Sequence, residues 1–66
     1  MLTNREKEVL YYLCKGYNNV EIGKILNISK HTAKAHVSSI LKKINAKNRI
    51  DAAYLSGKYS YIEDND

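Results

Sequence analysis

The sequence predicts an all-α chain, a four-helix helix-turn-helix domain with helices at about 4–15, 19–26, 30–44 and 49–57. Three observations carry this. Apolar residues recur three and four apart along most of the 66 residues, which is the period of a helix with one buried face. Each such stretch is preceded by a Thr, Asn or Ser able to cap it. Only about three residues separate the second stretch from the third.

The first helix starts at a capping box. The Thr3 hydroxyl accepts from the Glu6 amide while the Glu6 carboxylate reaches back to the Thr3 amide. Val9, Leu10, Leu13 and Cys14 then form the apolar stripe, so Cys14 reads as a small core residue, and Gly16 supplies the left-handed stop. Asn18 with Glu21 repeats the start signal, and Ile22, Ile25 and Leu26 are the stripe of the short second helix. Asn27 tolerates the left-handed conformation, Ile28 plugs the turn and Ser29 caps the third helix. Glycine costs about 1 kcal/mol against alanine inside a helix, so Gly23 points to close approach of the next helix. In the third helix Ala33, Val37, Ile40, Leu41 and Ile44 face the core, and Lys34, Ser38 and Lys42 lie on another side. Asn45 to Lys47 form a turn, Asn48 with Asp51 makes a further cap-like start, and Ile50, Ala53 and Tyr54 form the last stripe before Gly57. Residues 1–58 therefore make one domain. Residues 59–66 read as a polar, acidic tail that frays, with Tyr61 or Ile62 able to fold back on the core.

A core this small supplies about 3–5 kcal/mol unless a partner, metal or disulfide helps. Cys14 is the one cysteine, so no internal disulfide forms. His31 and His36 are five apart, off the i, i+4 spacing of a helical zinc pair, and no carboxylate lies close in sequence. No metal and no other cofactor is expected. The apolar runs are too short for a membrane span and no signal sequence opens the chain, which makes the expected location cytoplasmic. Catalysis is hard to build here, because there is no nucleophile–base pair, phosphate-binding glycine loop or carboxylate cluster.

Charge distribution says more than the net +4. Between Ser29 and Arg49 stand six cations (Lys30, Lys34, Lys42, Lys43, Lys47, Arg49), two histidines and no acid, whereas Glu63 to Asp66 hold three carboxylates. A lysine run of this kind is often just a solvated face. Here it falls on an amphipathic helix preceded by a short helix and a tight turn, the layout that lays a second helix in the major groove of double-stranded DNA.

The residues Leu2-Thr3-x-Arg5-Glu6-x-Glu8-Val9-Leu10, Gly16, Asn18-x-x-Glu21-Ile22, Leu26-x-Ile28-Ser29-x-x-Thr32, Lys34-x-His36, Lys43 and Arg49 resemble the DNA-binding domain of LuxR/GerE-type bacterial transcription regulators, without gaps over about residues 2–58. The resemblance implies a four-helix output domain of a response regulator or ligand sensor that binds DNA as a homodimer through its last helix. Gly23 stands where the family usually has alanine, Ala33 for valine, Ile44 for leucine and Ala46 for a larger apolar residue. These exchanges bear on packing tightness. The resemblance also suggests that Glu6 and Arg49 pair across helix ends.

Helical geometry puts Lys34, Ala35 and Ser38 on one face of the early third helix, and the resemblance points to the same face for base readout. Lys34 can donate to guanine O6 and N7, and Ala35 can touch a thymine methyl. Ser29, Lys30, Thr32, Lys42, Lys43 and Lys47 surround that face as candidates for phosphate contact. For Ser29 and Thr32, capping and turn packing account equally well for the residue type. Lys47 equally suits an ordinary surface position, and His36 suits packing or a place beside phosphate. Tyr54, Leu55 and Lys58 are dimer-seam candidates, since the fourth helix lies apart from the groove-facing side. Tyr11, Tyr12, Tyr17, Tyr59 and Tyr61 do not interleave with the basic stretch and read as packing residues. RNA polymerase is a further candidate partner. No membrane and no small-molecule ligand is expected. The rival readings are a protein-interaction module docking on a polymerase subunit or sensor domain without DNA contact, and a promoter-reading piece of a sigma factor. Against the first, lysine is depleted at protein interface centres.

Overall fold

The computed structural model describes residues 1–59. Of the predicted tail at 59–66, residues 60–66, with the fold-back of Tyr61 or Ile62, lie outside the described residues, and Tyr59 ends the last helix instead of fraying. Four helices occur in order: α1 Asn4–Cys14, α2 Asn19–Leu26, α3 Lys30–Lys43 and α4 Arg49–Tyr59. No strand occurs among the described residues, and none of their helices is long and apolar enough to cross a membrane.

The predicted caps form. Thr3 and Glu6 make both bonds of their box at 3.1 and 2.8 Å, and Asn18 and Glu21 both of theirs at 2.9 Å. Ser29 Oγ accepts from the Thr32 amide at 3.0 Å, and Asn48 Oδ1 from the Asp51 amide at 2.8 Å. These bonds satisfy amides that a helix leaves without an internal partner. Gly16 ends α1 at φ +92°, with the Tyr17 amide bonded to the Tyr12 carbonyl. Asn27 ends α2 at φ 57° and Asn45 comes after α3 at φ 57°, each a residue that tolerates the left-handed region.

The core is Val9, Leu10, Leu13, Ile22, Ala33, Val37, Ile40, Ile44 and Ala52, with Leu26, Ile28 and Leu41 packed at its edge. A Cβ on Gly23 would stand 2.6 Å from the Ile28 carbonyl oxygen and 3.4 Å from the Lys30 amide nitrogen. The α2–α3 turn therefore folds directly against the face of α2 that lacks a side chain.

Three stripe expectations are corrected. Cys14 is exposed, because the buried face of α1 runs Glu6, Val9, Leu10 and Leu13 and Cys14 falls at its margin. Ile25 is also exposed, since α2 turns its Ile22 and Gly23 side inward to meet α3. In α4 the expected face is nearly reversed: Ile50 and Tyr54 are 80% and 63% exposed, while Ala52 and Ser56 are buried. Small residues let α4 lie close to α1, and the Ser56 hydroxyl satisfies itself on the Ala52 carbonyl at 2.7 Å. α4 continues two residues past its predicted end, to Tyr59.

Candidate nucleic-acid interface

Along α3 the buried residues Ala33, Val37 and Ile40 mark the inward side. At about 100° per residue, Ala35, Ser38 and Lys42 project away from it and Lys34 stands at the edge of the outward face; all four are exposed. The structure thus brings the three predicted base-reading residues onto one outward face. Lys30, Lys34 and Lys42 have no ion-pair partner among the described residues.

At the start of α3 the Ser29 hydroxyl accepts from the Thr32 amide and donates to Thr32 Oγ1 at 2.9 Å. Both side chains are exposed. The capping reading of Ser29 is therefore realised, and it leaves the Thr32 hydroxyl proton able to point outward toward an acceptor. Lys47 is exposed in the turn before α4, where its amide donates to Asp51 Oδ2 at 2.8 Å.

Lys43 differs from the other lysines. Its Nζ donates to Glu6 Oε1 at 2.8 Å, and Ser39 donates to Glu6 Oε2 at 2.7 Å. Glu6 is only 4% exposed. The Lys43 ammonium, then the Thr3 amide and the Ser39 hydroxyl, hold its carboxyl at about 2, well below the usual 4.5, against the opposing effect of burial. The suggested Glu6–Arg49 pair does not form. Arg49 instead donates to Asn19 Oδ1 at 3.1 Å and to the Tyr17 carbonyl at 2.8 Å, pinning the start of α4 to the first residue of α2 and the loop before it. A sequence signal for the buried Glu6 existed: it sits three and four residues before Val9 and Leu10, at the head of the apolar stripe. A carboxylate buried there must be paired or hydrogen-bonded.

On the far side, Tyr54 and Lys58 stand together on α4, the ammonium 5.9 Å from the ring centroid, whereas Leu55 is half-buried. The exposed Ile50, missed as a surface residue, adjoins a shallow groove of about 350 Å³ lined by Leu13, Cys14, Gly16, Arg49 and Ala53. No cluster of three or more His, Cys, Asp or Glu side chains suited to a metal occurs among the described residues.

Residues 1–56 match the family model for bacterial regulatory proteins of the luxR family, GerE. Over 55 residues the chain is 42% identical to the nitrate/nitrite response regulator protein NarP of Escherichia coli, covering 83% of this chain and 26% of that protein. Over 63 residues it is 40% identical to the response regulator protein VraR of Staphylococcus aureus, covering 96% of this chain and 30% of that protein. The VraR of Staphylococcus epidermidis matches to the same extent. The chain spans less than a third of the length of these relatives.

Proposed function

The chain belongs to the luxR family of bacterial regulatory proteins, and we propose that it binds double-stranded DNA sequence-specifically by laying α3 in the major groove. Its role would be that of the output domain of a response regulator, the kind of protein NarP and VraR are named as. The carrying observation is the outward face of α3, where Lys34, Ala35, Ser38 and Lys42 stand exposed in a stretch that holds no acid from Ser29 to Ile50.

In this reading Lys34, Ala35 and Ser38 meet base edges, Lys34 as a donor to guanine and Ala35 as an apolar contact for a thymine methyl. Ser29, Lys30, Thr32, Lys42 and Lys47 meet phosphates and fix the register. Lys43 is set apart from that group, because its ammonium is engaged by Glu6; it positions the end of α3. Two copies bind adjacent half-sites through α4, with Tyr54 and Lys58 at the seam beside half-buried Leu55. Ile50 and the adjoining groove extend this surface, giving two exposed apolar side chains a covered place.

The test is a titration against random-sequence duplexes at two salt concentrations, with selection from a randomised pool as its second stage. The proposal expects steep salt dependence together with an enriched sequence. Salt-dependent binding with no enrichment would reduce the chain to a general polyanion binder, and no binding at either salt would remove DNA as its partner.

A further inference from the structure

Resting on the DNA-reading proposal, we propose that His31 is a fourth base-contacting residue, one that sets the preferred base at a position beyond those read by Lys34, Ala35 and Ser38. Charge and residue type alone did not single it out; its place on the helix does. At about 100° per residue, His31 lies within roughly 20° of Ser38 and Lys42 and roughly 40° of Ala35. The buried residues Ala33, Val37 and Ile40 fall on the opposite side, so His31 stands near the middle of the outward stripe, one turn ahead of Lys34 and Ala35. It is exposed, and its side chain has no hydrogen-bond or ion-pair partner among the described residues.

In this docking mode the first residues of the groove-entering helix approach base edges. A flexible lysine at this place would favour any phosphate, but an imidazole is short, planar and directional. Its ring N–H can donate to the N7 of a purine or to O6 of guanine, and its other nitrogen, when unprotonated, can accept from an exocyclic amine of adenine or cytosine. Lys30 and Thr32 flank it in sequence and project to either side, where they suit phosphates. His31 thus stands between two backbone-binding neighbours, near the midline of the outward stripe and in the first turn of α3.

The test is binding-site selection from randomised duplexes with the unsubstituted chain, His31→Ala and His31→Gln, each with an affinity measurement on the selected site. His31→Ala is expected to flatten the preference at one base position outside those set by Lys34, with about a tenfold loss on the selected site and little change on random DNA. His31→Gln is expected to keep a preference there but to change its identity, since the amide offers a different donor–acceptor pair. An equal loss on every sequence would make His31 a phosphate contact and overturn the proposal, as would an unchanged selection profile. If the unsubstituted chain enriches no sequence, the failure lies with the DNA-reading proposal itself.

Discussion

The pair formed by Glu6 and Lys43 joins the first turn of α1 to the last turn of α3, and its contribution can be isolated with Glu6→Gln and Lys43→Met, alone and combined. Glutamine keeps a side-chain oxygen for the Thr3 amide, so the capping box survives while the charge is lost. Methionine keeps most of the aliphatic stem of Lys43 and removes the ammonium, leaving a carboxylate at 4% exposure with only Ser39 and Thr3. The fall of the Glu6 pKa from 4.5 to about 2 sets a ceiling of roughly 3 kcal/mol on the stabilisation linked to its charge. Because the Lys43 side chain is 36% exposed, water screens part of this, and about 1–2 kcal/mol is the expected coupling between the two side chains.

Urea or thermal unfolding monitored by circular dichroism measures all four proteins. Lys43→Met should lower the melting temperature by about 5–15 °C, a large step for a domain of this size. The double variant should recover most of that loss, since removing the carboxylate removes the unpaired charge. Single losses that add to within about 0.5 kcal/mol in the double variant would refute the coupling. The pH dependence provides an independent check. Glu6 has a depressed folded-state pKa, so its stabilisation is complete above about 4.5 and is lost as pH falls toward about 2. The stability curve of the unsubstituted chain should therefore fall toward that of Glu6→Gln across this window. Parallel curves would show that the carboxylate is not the group responsible.

Lys34→Ala should cost about 1–3 kcal/mol on a selected duplex and relax its sequence choice, whereas Lys42→Ala should weaken all duplexes alike and make the salt slope shallower by about 0.9. Binding isotherms over a salt series read both quantities, and matched losses on all sequences for both would contradict the assigned division of roles. Ile50→Glu and Tyr54→Glu should leave folding intact, since both side chains are exposed, but abolish joint occupancy of two half-sites centred about 10 bp apart. Footprinting reports this, and undiminished paired footprints would move the seam off α4. Asn27→Gly should raise stability by a few tenths to about 1 kcal/mol, because φ 57° suits glycine without steric cost; a lower midpoint in urea would show that the asparagine side chain does more than tolerate the turn.

Local signals were the most legible part of the sequence. Thr3, Asn18, Ser29 and Asn48 act through residues three positions away, and a bond of that kind needs no knowledge of the rest of the fold. They set the starts of all four helices. Choice of buried face in a short helix was less legible, because period alone fixes which residues share a face and leaves open which face turns inward. For α4, Ile50 and Tyr54 formed the more apolar set, yet Ala52 and Ser56 went inward because a close approach to α1 favours small side chains. Nothing in α4 alone states that distance. The outward face of α3 was legible because a 14-residue helix with Ala33, Val37 and Ile40 on one side, and Ile44 at its end, leaves little freedom for the other.

The pairing of Glu6 also explains how the lysine-rich stretch keeps its character in three dimensions. An acid-free run in sequence does not guarantee an acid-free surface, since a carboxylate from another helix can be folded beside it. Glu6 is such a carboxylate, and it reaches the far end of α3. There it is buried and answered by Lys43 and Ser39, so its charge is consumed locally. Lys43 therefore serves as a counterion within the fold, whereas exposed Lys30, Lys34 and Lys42 have no ion-pair partner among the described residues. Losing Lys43 should harm DNA binding chiefly by lowering the folded fraction. After correction for that fraction, the salt slope of Lys43→Met should match that of the unsubstituted chain, where a phosphate contact would have lowered it by about 0.9.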